Sequence, residues 1–188
     1  MNRILHALWG ARRLAQFDKS GLAAFEPGWP AARHSFLALA LALPLMALMV
    51  WLQSAVYRGE DFGGVYMTAR LASSALGWLG FVLLLFPLTR IVGRRDRVLF
   101  FIGVFNWTTF IALIIQLPPL VIAAAGLVDF SGYVVLVIGF LLLVLVYKGY
   151  VASVALGIGA LEALFIVIAE LVFDIATEMM LMRVFTAL

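Results

Sequence analysis

The 188-residue chain contains no cysteine, which excludes disulfides, thiolate metal sites, iron–sulfur clusters and cysteine nucleophiles. Its only histidines are His6, ahead of the apolar runs, and His34, at the boundary of the first, so a histidine-rich metal centre or two-histidine haem ligation cannot be built inside one chain's membrane core. Charge is scarce as well, at 12% of residues against roughly 25% in soluble domains. There is no Walker-type phosphate loop, no HExxH and no GxSxG, and Gly157-Ile158-Gly159 is only a fragment of a dinucleotide-binding pattern set in an apolar segment. These absences point to a protein without a cofactor and without enzymatic activity.

What the sequence does have is hydrophobicity. Sixty-five per cent of residues are hydrophobic, and a mean hydropathy of +1.13 is foreign to a water-soluble fold. At about 20 apolar residues per crossing of a roughly 30 Å hydrocarbon core, the chain holds four to six membrane helices and little else. Apolar runs at 34–57, 67–90, 98–120, 130–147 and 150–173 predict five crossings. The fourth is the shortest and is helped by interfacial Tyr133, Tyr147 and Tyr150. Backbone groups cannot stay unpaired in lipid, and the runs lack the alternation of barrel strands. The expected fold is therefore all-α: a polytopic transmembrane bundle of five helices over residues 34–188, preceded by a cytoplasmic amphipathic segment, 1–33.

In that first segment, Ile4, Leu8, Ala11 and Ala15 share one helical face, opposite Asn2, His6, Arg13 and Gln16. This predicts a short basic helix lying on the membrane interface, ended by Gly28-Trp29-Pro30. The leader is too long and the following run too apolar for a cleavable signal, so the first crossing is expected to be an uncleaved anchor. Pro44 predicts a kink in the first crossing, and Pro118-Pro119 a stop to the third. Ten of the thirteen basic residues fall on one side of the expected topology, with only Arg58, Arg70 and Arg183 on the other. The positive-inside rule then predicts a multi-pass protein of the bacterial inner membrane, N-terminus cytoplasmic and C-terminus periplasmic. The same membrane-edge clustering accounts for the net charge of +3 without nucleic acid. Arg94, Arg95 and Arg97, in the loop between the second and third crossings, are candidates for anionic lipid head groups.

The last crossing carries Glu162, Glu170 and Asp174, with Glu178 just beyond, and each acid near mid-bilayer costs roughly 2.5–3.5 kcal/mol on insertion scales. Helical spacing puts Glu170 and Asp174 on one face with Ala152, Ala155, Gly159, Ala163 and Thr177, Glu162 at its edge, which predicts that this face packs against neighbouring helices. Counting depth from the cytoplasmic ends brings Glu162 level with Asn106, within reach of Thr108 and Thr109, and sets Arg70 level with Glu170 and Asp174. This polar cluster is read either as structural glue or as a binding site.

The stretches Leu8-Trp9-Gly10, Gly21-Leu22-Ala23-Ala24-Phe25, Ser35-Phe36 ahead of Pro44, Asn106-Trp107 after the arginine-rich loop, and Tyr150 through Ala155-Leu156-Gly157 resemble uncharacterised alphaproteobacterial five-helix membrane proteins, distantly similar to the Yip1-type family. The resemblance implies a cytoplasmic N-terminus, five crossings and, in eukaryotic members, roles in membrane trafficking and contacts with small GTPases. The Asp-Leu-Tyr-Gly-Pro motif of those members is absent, so the topology alone carries over. The expected function is a non-enzymatic membrane-organising or assembly factor, whose partners are the bilayer and other membrane proteins or further copies of itself. The alternative is a subunit of a small ion, proton or solute transporter or channel using the acids of the last crossing.

Overall fold

Long apolar stretches with few breakers fold as helices because a helix satisfies its backbone internally. The computed structural model describes residues 3–57 and 64–186. Arg58, assigned above to the outer side, lies outside those residues. Among the described residues the structure is all helical: α1 (Arg3–Ala15), α2 (Trp29–Ser35), α3 (Leu37–Val56), α4 (Gly64–Ile91), α5 (Val98–Ala124), α6 (Phe130–Leu156) and α7 (Ala160–Thr186), with short 3-10 turns at Lys19–Ala24 and Arg95–Arg97. Four stretches are long and apolar enough to cross a membrane, Trp29–Val56, Tyr66–Ile91, Arg95–Ala124 and Phe130–Leu156, which is compatible with an integral membrane protein. α7 is not among them, because Glu162, Glu170, Asp174, Glu178 and Arg183 interrupt its apolar sequence.

Four of the five runs depart from their expected boundaries, the last falling at Ala160–Thr186 in place of 150–173. The fourth run does not end at Tyr147: α6 continues through Lys148-Gly149 to Leu156 and closes on Gly157, which takes a left-handed conformation (φ 66°, ψ 46°) and donates its N–H to the Ser153 carbonyl. Glycine reaches that conformation without a Cβ penalty, so the reversal falls at Gly157-Ile158-Gly159. The third run does not stop at Pro118-Pro119; α5 continues to Ala124, with Pro119 and Leu120 buried, so packing holds the helix across the missing N–H donors. The first run is two helices that meet at Phe36, and Gly28-Trp29-Pro30 opens α2 with proline in its first turn, where no N–H is required. Pro44 lies inside α3, which continues to Val56.

The five long helices close a ring. α3 lies beside α4 and α5, α6 sits between α5 and α7, and α7 returns to α4. α1 and α2 pack on the end of the ring where α5 begins. The buried stripe of α1 is Ala7, Gly10, Ala11 and Leu14; of the expected Ile4/Leu8/Ala11/Ala15 face Ala11 is fully buried and the other three half-buried at its margin, the helix having turned to dock on protein. Tyr147 and Tyr150 of α6 fasten this segment, their hydroxyls donating to the carbonyls of Ala11 (3.2 Å) and Phe17 (2.7 Å). Asp18 opens the Lys19–Ala24 turn: its carboxylate accepts from the Ser20 N–H (2.9 Å) and pairs with Arg13 Nε (3.0 Å). Hydrogen bonding to Ser20, with Arg13 nearby, holds that carboxyl below the usual range.

Candidate functional site

The ring surrounds a partly open cavity of about 250 Å³ to which all five long helices contribute, with Asp174 exposed at its opening. α3 supplies Met46; α4 supplies Arg70, Ser73, Ser74, Trp78 and Phe81; α5 supplies Phe105, Thr109, Ala112, Leu113 and Gln116; α6 supplies Lys148; α7 supplies Glu170, Asp174 and Glu178. The last three recur every fourth residue, so they stand on one face of α7 and step along the cavity by about 6 Å each. Phe81 packs on Phe105 (ring centroids 5.4 Å apart) and on Phe173 (6.4 Å).

Both flanking carboxylates have a cation. Lys148 pairs with Glu170, both largely buried, and its Nζ lies 5.4 Å from the centroid of the Phe105 ring. Arg70 pairs with Glu178, whose side chain is 43% exposed. Between them, Asp174 has no ion pair among the described residues. Its carboxylate instead lies against Gly77 of α4, where a Cβ would stand 3.1 Å from Oδ1, so the glycine gives the acid its room. Two cations thus face three carboxylates, an arrangement tolerable in apolar surroundings only with pairing or access to water.

The hydroxyls divide in two groups. Ser73 and Ser74 both donate to the Arg70 carbonyl (2.9 and 3.0 Å), and Thr108 donates to the Val104 carbonyl (2.9 Å). Thr109 Oγ1 has less than 1 Å² exposed and, among the described residues, is the one buried side-chain oxygen or nitrogen without a hydrogen-bond partner. A hydroxyl both donates and accepts, and leaving one buried and unpaired costs about 1–3 kcal/mol.

Of the residues expected to cluster, the structure brings Arg70, Thr109, Glu170 and Asp174 around this cavity. Glu162 is elsewhere. It sits exposed in the first turn of α7, because that helix starts at Ala160 and not ten residues earlier, a displacement of about 15 Å along the axis. The small-residue face drawn through it is also divided, Ala152 and Ala155 belonging to α6. Asn106 is fully buried but pairs with other groups: it accepts from Trp78 Nε1 (2.8 Å) and donates through Nδ2 to Ser35 Oγ (2.8 Å), joining α4, α5 and α2. Arg70 meets Glu178 in place of Glu170 and Asp174, whereas Lys148, expected in a loop, takes Glu170. Lys148, Glu178, Ser73, Ser74, Trp78 and Gln116 were missing from the expected site. The legible signal was a lone lysine within an apolar stretch that has a better turn, Gly157-Ile158-Gly159, nine residues on.

The arginine loop serves the protein's own backbone. Arg94 Nη2 donates to the Gly157 carbonyl (2.7 Å) and Arg97 Nη1 to the Ala155 carbonyl (3.4 Å), placing positive charge at the C-terminus of α6, where the helix dipole favours it. Arg95 is exposed. A second cavity, of about 80 Å³, lies under α1 and includes Arg3, His6, Glu26 and His34. Among the described residues no three His, Asp or Glu side chains converge as a metal site.

Compared with known proteins, the chain matches no family model, no curated protein and no solved structure.

Proposed function

We propose that this is a non-enzymatic, five-pass membrane protein whose ring of helices binds and conveys a small polar solute. The observation that carries the reading is the charged cavity: Arg70, Lys148, Glu170, Asp174 and Glu178 face one space inside an otherwise apolar bundle. Ionisable groups inside membranes are expensive, and a cluster of five facing a common cavity is the pattern of a solute pathway. The organising role suggested by composition and by the Yip1-type resemblance does not call for such a space, so it ranks second.

Support for α7 as the fifth crossing comes from its two faces. Its 27 residues span about 40 Å. Its acids Glu170 and Glu178 turn inward to cations, while Leu161, Leu164, Ile168, Val172, Ile175 and Met179 are exposed and apolar, as a lipid-facing surface requires. Nine of the thirteen basic residues gather at the end where α1, α2 and the starts of α5 and α7 lie, which favours that end as cytoplasmic in a bacterial inner membrane. Leu5, Trp9 and Trp29 point away from the bundle there and suit the lipid interface, with Arg95 beside anionic head groups.

The cysteine-free chain makes the test direct. A Ser74→Cys variant in proteoliposomes is expected to react with a membrane-impermeant maleimide from one side, far faster than Leu83→Cys on the 70% exposed outer face of α4. Equal, slow reaction at both positions would mean that water does not reach the cavity, and the organising role would stand instead.

A further inference from the structure

The cavity's own chemistry names a class of solute. Its lining has one negative charge in excess, because Lys148 and Arg70 neutralise Glu170 and Glu178 and leave Asp174 over. An anion would meet that surplus carboxylate, so the site discriminates against anions. A calcium or magnesium ion would sit here largely hydrated, with Asp174 as its one unpaired carboxylate, and would leave the apolar part of the wall without a partner. The rest of the wall is apolar and aromatic: Met46, Trp78, Phe81, Leu113. A ligand with a cationic head and a short hydrocarbon body satisfies both halves.

Two further observations point the same way. Thr109 lines the cavity, and its Oγ1, buried behind that wall, has no partner, so turning the side chain toward the cavity would gain it an N–H donor it now lacks. The chain also carries an internal example of the recognition: the Lys148 ammonium lies in this cavity between the Glu170 carboxylate and the face of Phe105, combining an ion pair with a cation–π contact. One turn along α7, Asp174 repeats the carboxylate without its lysine. The space of about 250 Å³ far exceeds the roughly 10–15 Å³ that a single water requires, enough for an amine of a few carbons together with water.

We propose that the cavity binds a small alkylammonium ion, its ammonium group on the Asp174 carboxylate and the Thr109 hydroxyl, its alkyl chain against the aromatic wall. This rests on the reading of the cavity as a solute site. Asp174 is the ligand and Gly77 a positioning residue, since a Cβ there would stand 3.1 Å from Oδ1 and press the carboxylate from its place by a few tenths of an ångström.

The test is equilibrium dialysis of radiolabelled butylammonium against the purified full chain in detergent, with propylammonium, sodium, butyrate and butanol as competitors. Saturable binding that is displaced by other small alkylammonium ions and not by butyrate, butanol or sodium is expected. Asp174→Asn should weaken it by about tenfold or more, the scale of a lost charged hydrogen bond. Thr109→Val should weaken it less, and Ser54→Ala, outside the cavity, should leave it unchanged. Asp174→Glu, which keeps the charge, should retain binding and guards against loss through misfolding, monitored by helicity and size-exclusion profile. Butylammonium binding that survives Asp174→Asn in a folded protein would overturn the assignment. So would competition by sodium or butyrate, or a complete lack of butylammonium binding while Ser74→Cys is readily labelled; those results leave the solute-cavity reading intact. A lack of binding with Ser74→Cys also unreactive would remove both.

Discussion

Removing Lys148 should destabilise the bundle in a way that depends on pH, and the size of the effect can be worked from its partner. The side chain of Glu170 is 8% exposed and that of Lys148 15%. Lys148→Met leaves the Glu170 carboxyl in apolar surroundings without a cation, where it must either stay charged, at about 3–5 kcal/mol for a broken buried pair, or take up a proton. Protonating an ordinary glutamic acid of pKa about 4.3 costs about 3.7 kcal/mol at pH 7 and about 1 kcal/mol at pH 5. The variant should therefore lose about 3–4 kcal/mol at pH 7 and recover most of it by pH 5. Glu170→Gln should cost less, because Asp174, one turn along, offers Lys148 a second carboxylate. The double variant Lys148→Met/Glu170→Leu should lie within about 1 kcal/mol of the parent, since replacing both members of a buried pair is often near neutral. Reversible unfolding by sodium dodecyl sulfate in mixed micelles, followed by circular dichroism at pH 5 and pH 7, measures all three. A Lys148→Met loss below about 1 kcal/mol and independent of pH, or a double variant as weak as both singles added, would refute the pairing argument.

Asn106→Ala should cost about 1–3 kcal/mol in the same unfolding assay, because the buried Trp78 indole N–H loses its acceptor; Ser35 still donates to the Ala32 carbonyl (2.6 Å) and suffers less. At the N-terminal segment the pH sign is set by Asp18, whose folded carboxyl lies below its unfolded range. Its contribution is fully present above the ordinary aspartate pKa and is lost as pH falls through the lowered folded value. Hydrogen exchange at the Ser20 amide should accordingly lose its protection in acid relative to Leu88 within α4, and Asp18→Asn should weaken that protection already at neutral pH.

Periodic hydropathy alone located α4 to within a few residues, because a long apolar run bounded by arginine at one end has one solution in lipid. It divided α6 wrongly for an electrostatic reason. A lysine in an apolar run looks like a loop unless its counter-ion is known, and Glu170 lies 22 residues further on, in another helix. That single boundary carried through to the site, since moving the start of the last helix to Ala160 shifted every depth counted along it. The acids Glu170 and Asp174 were still legible as inward-facing, because their spacing of four survives any shift of origin. Asn106 was legible as a buried polar group, but its partners were not; Trp78 and Ser35 are contributed by other helices, and only packing decides which indole and which hydroxyl arrive. Arg94 and Arg97 read as surface charge because the carbonyls they bind come from the far end of α6, some 60 residues away in sequence.

The reversal at Gly157-Ile158-Gly159 has a consequence for biogenesis. So short a connection gives α6 and α7 no independent fate as they leave the ribosome. With α7 as the fifth crossing proposed above, its carboxylates alone would favour water, and its tether of three residues to α6 would carry it into lipid as half of a helical hairpin, Glu170 beside Lys148. Lengthening that connection would uncouple the two deliveries, and the segment that completes the wall of the cavity would be the one left behind.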